Sequence, residues 1–163
     1  MAPRGGIEDE TGAGGEGGAM PSVNHPPTIL VIDDNSADIF LLQRGLDQQG
    51  EAYQLEILAD GPSALQFIDE HRTGVREPNP CVILLDLQLP RHNGLKVLRA
   101  IKREPVLAHI QVLVLTTFAS PIEEAHIRSM GAFCRVKPVS PSGYEELAAE
   151  VLEICKGSAP EPV

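Results

Sequence analysis

The amino-acid sequence predicts an α/β fold, in which a doubly wound parallel sheet of five strands carries helices on both faces. The first indication is that five short apolar runs alternate with five segments of helical periodicity between Thr28 and Lys156. The second is the run from Cys81 to Leu85, which is apolar at every position. A half-exposed strand would alternate polar and apolar residues, so this run is expected to be a central strand buried on both faces.

The N-terminal half of the fold is predicted to contain two strands, each followed by a helix. Ser36 is the expected cap of the first helix, because its hydroxyl can accept from the free amides of the first turn. Asp60 and Gly61 are expected to turn the second strand into the second helix. The predicted elements, in order, are strand 28–32, helix 37–48, strand 53–59, helix 62–71 and a polar loop over 72–80.

The C-terminal half is predicted to contain three more strand-and-helix units. Pro121 suits the first turn of a helix and Gly131 suits its end. The last helix is expected to begin either near Ser140 or at a capping box formed by Ser142 and Glu145. The elements are strand 81–85, helix 94–103, strand 110–115, helix 121–130, strand 132–136 and a final helix that reaches about residue 155.

The length and charge of the chain restrict its function. A chain of 163 residues with a net charge of −10 is expected to form one acidic domain. Non-specific nucleic-acid binding depends on basic surface, so a nucleic-acid partner is not expected. No apolar run has the length of a membrane span, and the N-terminus lacks the apolar core of a secretory signal. The sequence therefore predicts a cytoplasmic protein without a membrane partner.

Two terminal segments and three cysteines complete the organisation. Residues 1–27 are rich in Gly, Pro and acidic residues and are predicted to be a disordered tail, and residues 157–163 are predicted to be a second one. The three cysteines are widely spaced and odd in number. They are expected to be small buried hydrophobes in a reducing compartment, not disulfide or metal ligands. The cysteines are Cys81, Cys134 and Cys155.

Four of the five predicted strands end in polar residues with useful chemistry. Taken singly, each residue has an ordinary explanation, since Asp often caps helices, Thr often occupies turns and Lys-Pro is often exposed. The carboxyl ends of parallel strands, however, meet at one edge of the sheet, where ligands of such folds bind. The residues are Asp33 and Asp34 after the first strand, Asp86 after the third, Thr116 after the fourth and Lys137 after the fifth.

This set of residues predicts a site for Mg²⁺ and a phosphoryl group. Three converging carboxylates repel one another unless a cation joins them, and Mg²⁺ prefers such oxygen ligands. The His and Cys positions offer no softer set that would suit Zn²⁺. An ammonium and a hydroxyl could stabilise phosphoryl oxygens. Because no serine lies at these strand ends, the expected nucleophile is the central carboxylate, Asp86.

Four segments, ILVIDDN, ILLDLQLPRHNG, VLVLTT and VKP, resemble the receiver domain of two-component response regulators in their order and spacing. The resemblance covers residues 28–156 and implies a flavodoxin-like or CheY-like sheet with strand order 2-1-3-4-5. It is closest to the small single-domain regulators that partner phytochrome-type sensor histidine kinases. It implies a stand-alone signalling switch that changes its protein-protein contacts and is not an enzyme.

The resemblance also implies a role for each site residue. Asp86 would accept a phosphoryl group from a phosphohistidine, and Thr116 and Lys137 would contact its oxygens. Asp34 and Asp86 would bind Mg²⁺ directly with the backbone carbonyl of Gln88, while Asp33 would act through water. The Lys137-Pro138 peptide would be cis. The fourth helix, fifth strand and fifth helix would form a homodimer face with candidate contacts at Ile122, His126, Met130, Tyr144 and Leu147.

One position departs from the receiver pattern. The family places an aromatic residue three positions before the lysine, where this chain has Cys134 with Phe133 beside it. Neighbouring strand residues face opposite sides of a sheet, so Phe133 could substitute only through a shift in register or a bulge. Two alternatives therefore stay open. One is a degenerate receiver that acts as a constitutive interaction module. The other is an aspartyl-phosphate phosphohydrolase of the haloacid dehalogenase type, although Gln88 stands where that class has a second Asp.

Overall fold

A computed structural model describes residues 25–76, 79–158 and 160 of the chain. Its centre is a parallel sheet of five strands in the order β2-β1-β3-β6-β7. The sheet strands are β1 (Thr28–Ile32), β2 (Gln54–Leu58), β3 (Val82–Asp86), β6 (Gln111–Thr116) and β7 (Phe133–Val136). This order confirms the predicted doubly wound topology 2-1-3-4-5. The N-terminal tail lies outside the described residues up to residue 24, as does most of the segment after Ser158.

Five helices cover the two faces of the sheet. They are α1 (Ser36–Gln48), α2 (Gly61–Arg72), α3 (Gly94–Arg103), α4 (Pro121–Ser129) and α5 (Pro141–Cys155). Helices α1 and α5 pack on one face, and α2, α3 and α4 pack on the other. Along β3, Val82 and Leu84 face the first side while Ile83 and Leu85 face the second. The apolar run thus lies between two hydrophobic clusters, which is why it has no polar position before Asp86.

The N-cap of α1 differs from the predicted one, and the N-cap of α5 decides between the two predicted starts of that helix. Asn35, not Ser36, caps α1, because its side chain accepts from the amides of Ala37 and Asp38. The cap is therefore one residue earlier than predicted, and Ser36 is already helical. Ser140 caps α5 by accepting from the amide of Gly143, so the box formed by Ser142 and Glu145 is not the start of that helix.

A small hairpin between β3 and α3 was not predicted. Its strands, β4 (Gln88–Leu89) and β5 (His92–Asn93), pair antiparallel. Arg91 in the turn has a φ of 68°, in the left-handed region that non-glycine residues seldom occupy. Two-residue strands are too short to show an alternating pattern in sequence, so the sequence predicts no strand in this segment. The hairpin brings the chain back beside Asp86.

The expectation for the cysteines was wrong for two of the three. Cys81 and Cys155 form a disulfide with a Cα–Cα distance of 5.0 Å, and Cys134 is not part of it. The two cysteines are 74 residues apart in sequence. They meet because Cys81 lies just before β3 while Cys155 ends α5, which packs on that strand's face. Among the described residues no helix has the length and hydrophobicity needed to cross a membrane.

Candidate functional site

The predicted site residues meet at the carboxyl edge of the sheet. Asp33 directly follows β1, while Asp86 and Thr116 are the last residues of β3 and β6. The amide of Lys137 donates to the carbonyl of Thr116 at 2.8 Å, which fixes the chain where it leaves β7. Strand order reverses between β1 and β3, and ligands of doubly wound sheets bind at that reversal.

Three carboxylates form the acidic part of the site. Asp33, Asp34 and Asp86 each place an oxygen within 4.8 Å of the others. Asp33 and Asp86 are only 4% and 6% exposed, whereas Asp34 faces solvent. Backbone amides hold the two buried groups, since the amide of Asn35 donates to Asp33 Oδ1 at 2.9 Å and that of Gln88 donates to Asp86 Oδ1 at 3.0 Å. Each buried carboxylate therefore has one oxygen held by the backbone.

The ammonium of Lys137 lies against the other oxygens. Its Nζ is 3.2 Å from Asp33 Oδ2 and 3.3 Å from Asp86 Oδ2. It also lies 2.9 Å from Asp38 Oδ2, in the first turn of α1. The sequence does not single out Asp38, because an acid in the first turn of a helix is ordinary. Its place in the first turn of the helix that directly follows β1 was the available signal.

Burial and neighbouring charges shift two pKa values at the site. Burial raises the pKa of Asp86, and the nearby charge of Asp33 raises it further, while the Gln88 amide and Lys137 oppose the shift. Burial alone would lower the pKa of Lys137, but the hydrogen bond to Asp38 and the charges of Asp33 and Asp86 outweigh it and raise this pKa. Lys137 is therefore a firmly charged ammonium, and a cation near Asp86 favours its ionised form.

The hydroxyl of Thr116 is buried and turned toward the following loop. It donates to the carbonyl of Phe118 at 2.8 Å and accepts from the amide of Phe118 at 3.2 Å. Thr116 thus lies at the predicted edge, but its hydroxyl is engaged by its own loop and is not bonded to a carboxylate.

Gly94 allows the chain to pass close behind the site. A Cβ at this position would lie 2.5 Å from the carbonyl oxygen of Leu87 and 2.8 Å from that of Asp86. Real Cβ atoms do not approach oxygen so closely, so the start of α3 and the end of β3 can lie together only with glycine here. This close approach holds the backbone of Asp86 beneath the acidic cluster.

The register of β7 shows how the chain differs from the receiver pattern at Cys134. Phe133 to Val136 pairs with Leu113 to Thr116 in continuous register, without a bulge. Phe133 packs with the cluster on the α1 and α5 face, and Cys134 packs with the cluster on the opposite face. Phe133 therefore does not replace the aromatic residue that the receiver pattern places at position 134.

The donor set suits a hard divalent cation. All three side chains offer carboxylate oxygens, and one of them, Asp34, is open to solvent. Mg²⁺ takes such ligands and keeps several waters, so it needs few protein groups and an open side. The described residues thus fit the predicted metal.

A family model of the response regulator receiver domain matches residues 29–148. The chain belongs to the response regulator receiver family. The topology and the acidic edge agree with this assignment, which confirms the resemblance seen in the sequence. Receiver domains act in two-component signalling, and the relatives of this receiver are response regulators.

Three comparisons describe how similar this receiver is to known proteins. The probable methanogenesis regulatory protein FilR2 of Methanothrix harundinacea is 35% identical over 141 residues, which cover 85% of this chain and 88% of FilR2. The crystal structure of the phosphorylated cyanobacterial phytochrome response regulator RcpA has a TM-score of 0.72 at 28% identity, and that of Mn²⁺-bound Rcp1 has 0.71 at 29%. Each structural match covers 85% of this chain and all of the other.

Proposed function

We propose that this receiver is a phosphorylation-dependent switch in which Asp86 accepts a phosphoryl group from a phosphohistidine of a sensor histidine kinase. The observation that carries the proposal is the position of Asp86, a buried carboxylate with Asp33 and the Lys137 ammonium beside it. A carboxylate in such surroundings can act as a nucleophile toward phosphorus, since the cation stabilises the charge that develops on the phosphoryl oxygens.

The proposed transfer uses Asp86 Oδ2, because Oδ1 is already held by the Gln88 amide. Oδ2 forms a bond to phosphorus as the bond from phosphorus to the imidazole nitrogen of phosphohistidine breaks, and the electron pair leaves with the imidazole. Lys137, 3.3 Å from that oxygen, contacts a phosphoryl oxygen of the product. The Thr116 hydroxyl turns from Phe118 to donate to a second oxygen.

Mg²⁺, held by Asp34, Asp86 and the backbone carbonyl of Gln88 with Asp33 acting through water, would supply the positive charge that offsets the phosphoryl group. Lys137 must then share the acidic oxygens with a second cation. Asp38 supports this arrangement, because it offers the ammonium an anionic partner outside the three-carboxylate cluster.

The proposed output is a change in protein-protein contacts. The α4, β7 and α5 elements expose large apolar side chains at Ile122 and Val136, which suits a protein partner or a second copy of the chain. A phytochrome-type kinase is the proposed phosphoryl donor. The structural likeness to RcpA, a phytochrome response regulator, supports this choice.

Intact-mass measurement after incubation with Mg²⁺ and phosphoramidate tests the proposal. The wild-type chain is expected to gain the mass of one phosphoryl group, and Asp86→Asn is expected to gain none. If the wild type shows no adduct, the proposal is wrong and the constitutive interaction module is favoured. If it instead releases phosphate rapidly over many turnovers, a phosphohydrolase is favoured.

The metal set is tested separately. Asp34→Ala removes the one exposed carboxylate of the cluster. Mg²⁺ affinity measured by calorimetry is expected to fall at least about tenfold, or ~1.4 kcal/mol. Equal affinity in wild type and variant would show that Asp34 is not a ligand.

A further inference from the structure

Phe118 is bonded to the Thr116 hydroxyl and also borders a cavity beside β7. Both backbone polar groups of Phe118 are bonded to the Thr116 hydroxyl, through the amide and the carbonyl. Its side chain is 73% exposed, which is unusual for a large apolar ring without a partner. The loop that would have to release the hydroxyl therefore also carries an exposed phenyl ring.

The cavity lies between this loop, α4 and β7. It has a volume of about 330 Å³. Its lining combines Thr116, Phe118, Phe133 and Cys134 with the charged residues Glu124, Arg128 and Arg135. Cys134 is a small side chain, and Phe133, although it borders the cavity, packs its ring with the hydrophobic cluster on the α1 and α5 face. An apolar cavity of about 150 Å³ already accommodates benzene in other proteins, so this one has room for a phenyl ring.

We propose that Phe118 is a positioning residue that enters this cavity when Asp86 is phosphorylated. The inference rests on the proposed function. When the Thr116 hydroxyl turns to a phosphoryl oxygen, its bond to the Phe118 carbonyl breaks, and the loop that the bond held is released. The ring then moves from solvent into the space beside Cys134, where burial of apolar area favours it.

The coupling acts in both directions. A ring in the cavity holds the loop in the conformation in which the Thr116 hydroxyl is free of Phe118, so ring burial and the Thr116–phosphoryl contact stabilise each other. The aromatic ring that occupies the cavity would thus come from Phe118, two residues after Thr116 in the loop that follows β6, and not from β7.

The chain contains no tryptophan, so Phe118→Trp introduces a single indole reporter. We expect its emission to shift to shorter wavelength, and acrylamide to quench it less, after phosphorylation with phosphoramidate and Mg²⁺. Phe40→Trp is the matched control, because Phe40 is 57% exposed on α1 and does not line this cavity. Its emission is expected to stay the same.

Intact mass of each sample reports the phosphoryl adduct independently. An adduct on Phe118→Trp without change in emission or quenching would overturn the role of Phe118 and leave the phosphoryl-acceptor function intact. The absence of an adduct on both wild type and variant would overturn both. Adding Cys134→Phe to Phe118→Trp fills the cavity from the strand, so the indole is expected to stay exposed although the adduct forms. A blue shift that persists in this double variant would contradict the cavity as the destination.

Discussion

Lys137 Nζ lies 2.9 Å from Asp38 Oδ2, closer than it lies to either Asp33 or Asp86. The shortest ion pair of Lys137 is thus with a residue outside the acidic cluster, in the first turn of α1. Tyr144 of α5 lies near the same carboxylate, and its pKa is raised first by burial and then by the charge of Asp38. Asp38 therefore links the site to both helices on this face of the sheet.

Asp38→Asn is expected to weaken Mg²⁺ binding by about threefold to tenfold, or roughly 1 kcal/mol. Without the charge of Asp38, the Lys137 ammonium is held more by Asp33 and Asp86, where it competes with the metal. The loss of one negative charge acts in the same direction. Calorimetric titration measures the effect, with Asp69→Asn on the exposed face of α2 as the charge-matched control. Equal affinities in the two variants would contradict this role.

Gly94→Ala is expected to lower the free energy of unfolding by about 1–3 kcal/mol, because the added methyl group meets the carbonyl oxygens of Leu87 and Asp86. The same displacement moves Asp86, so phosphorylation by phosphoramidate should slow. Urea unfolding and intact mass measure the two effects. Gly131→Asn is the control, since Gly131 has a φ of 82° with open space around it and Asn tolerates that conformation. If both variants are equally stable, the close approach at Gly94 is not needed.

Cys155→Ser is expected to lower the free energy of unfolding by about 2–4 kcal/mol under oxidising conditions, because it opens the cross-link to Cys81. Reductant should produce a similar loss in the wild type and little further change in the variant. Cys134→Ser serves as the control outside the disulfide. Alkylation of the unfolded, unreduced wild type should modify one thiol. Modification of three would show that the disulfide is not formed.

The two tyrosines of the chain are expected to titrate above their usual range in the folded protein. Burial raises the pKa of Tyr53 to about 12, helped by its 2.6 Å hydrogen bond to Asp47 Oδ1 and by the charge of that group. Asp47→Asn should lower this pKa part of the way toward the usual value of about 10, because burial, the largest cause of the shift, remains.

The sign of the linked stability effect follows from the direction of the shift. The folded protein keeps the Tyr53 phenol proton to a higher pH than the unfolded chain does. The contribution of Tyr53 to the free energy of unfolding is therefore complete below about pH 10 and is lost as pH rises toward 12. Ultraviolet absorbance of tyrosinate follows the titration. A Tyr53 pKa that is unchanged by Asp47→Asn would contradict the contribution of Asp47 and leave burial as the cause of the shift.

Much of the fold could be predicted because its signals are local. An apolar run, a helical stripe or a cap within about ten residues was enough to predict each strand of the sheet and each helix. The helix cap and the hairpin were not predicted correctly, because their sequences are compatible with more than one local structure. Asn35 and Ser36 can both cap α1, and the two-residue strands β4 and β5 are too short to carry a pattern.

The sequence by itself determined the alternation of strands and helices, and therefore which residues arrive at the carboxyl edge, since every parallel strand ends there. Only the tertiary structure decided what those residues touch. Lys137 and Asp38 are 99 residues apart, and Cys81 and Cys155 are 74 apart. Contacts between such distant segments depend on strand order, helix packing and register, which local patterns do not encode. The continuous register of β7 places Phe133 on one face and Cys134 on the other, and so leaves Phe118 beside an open cavity.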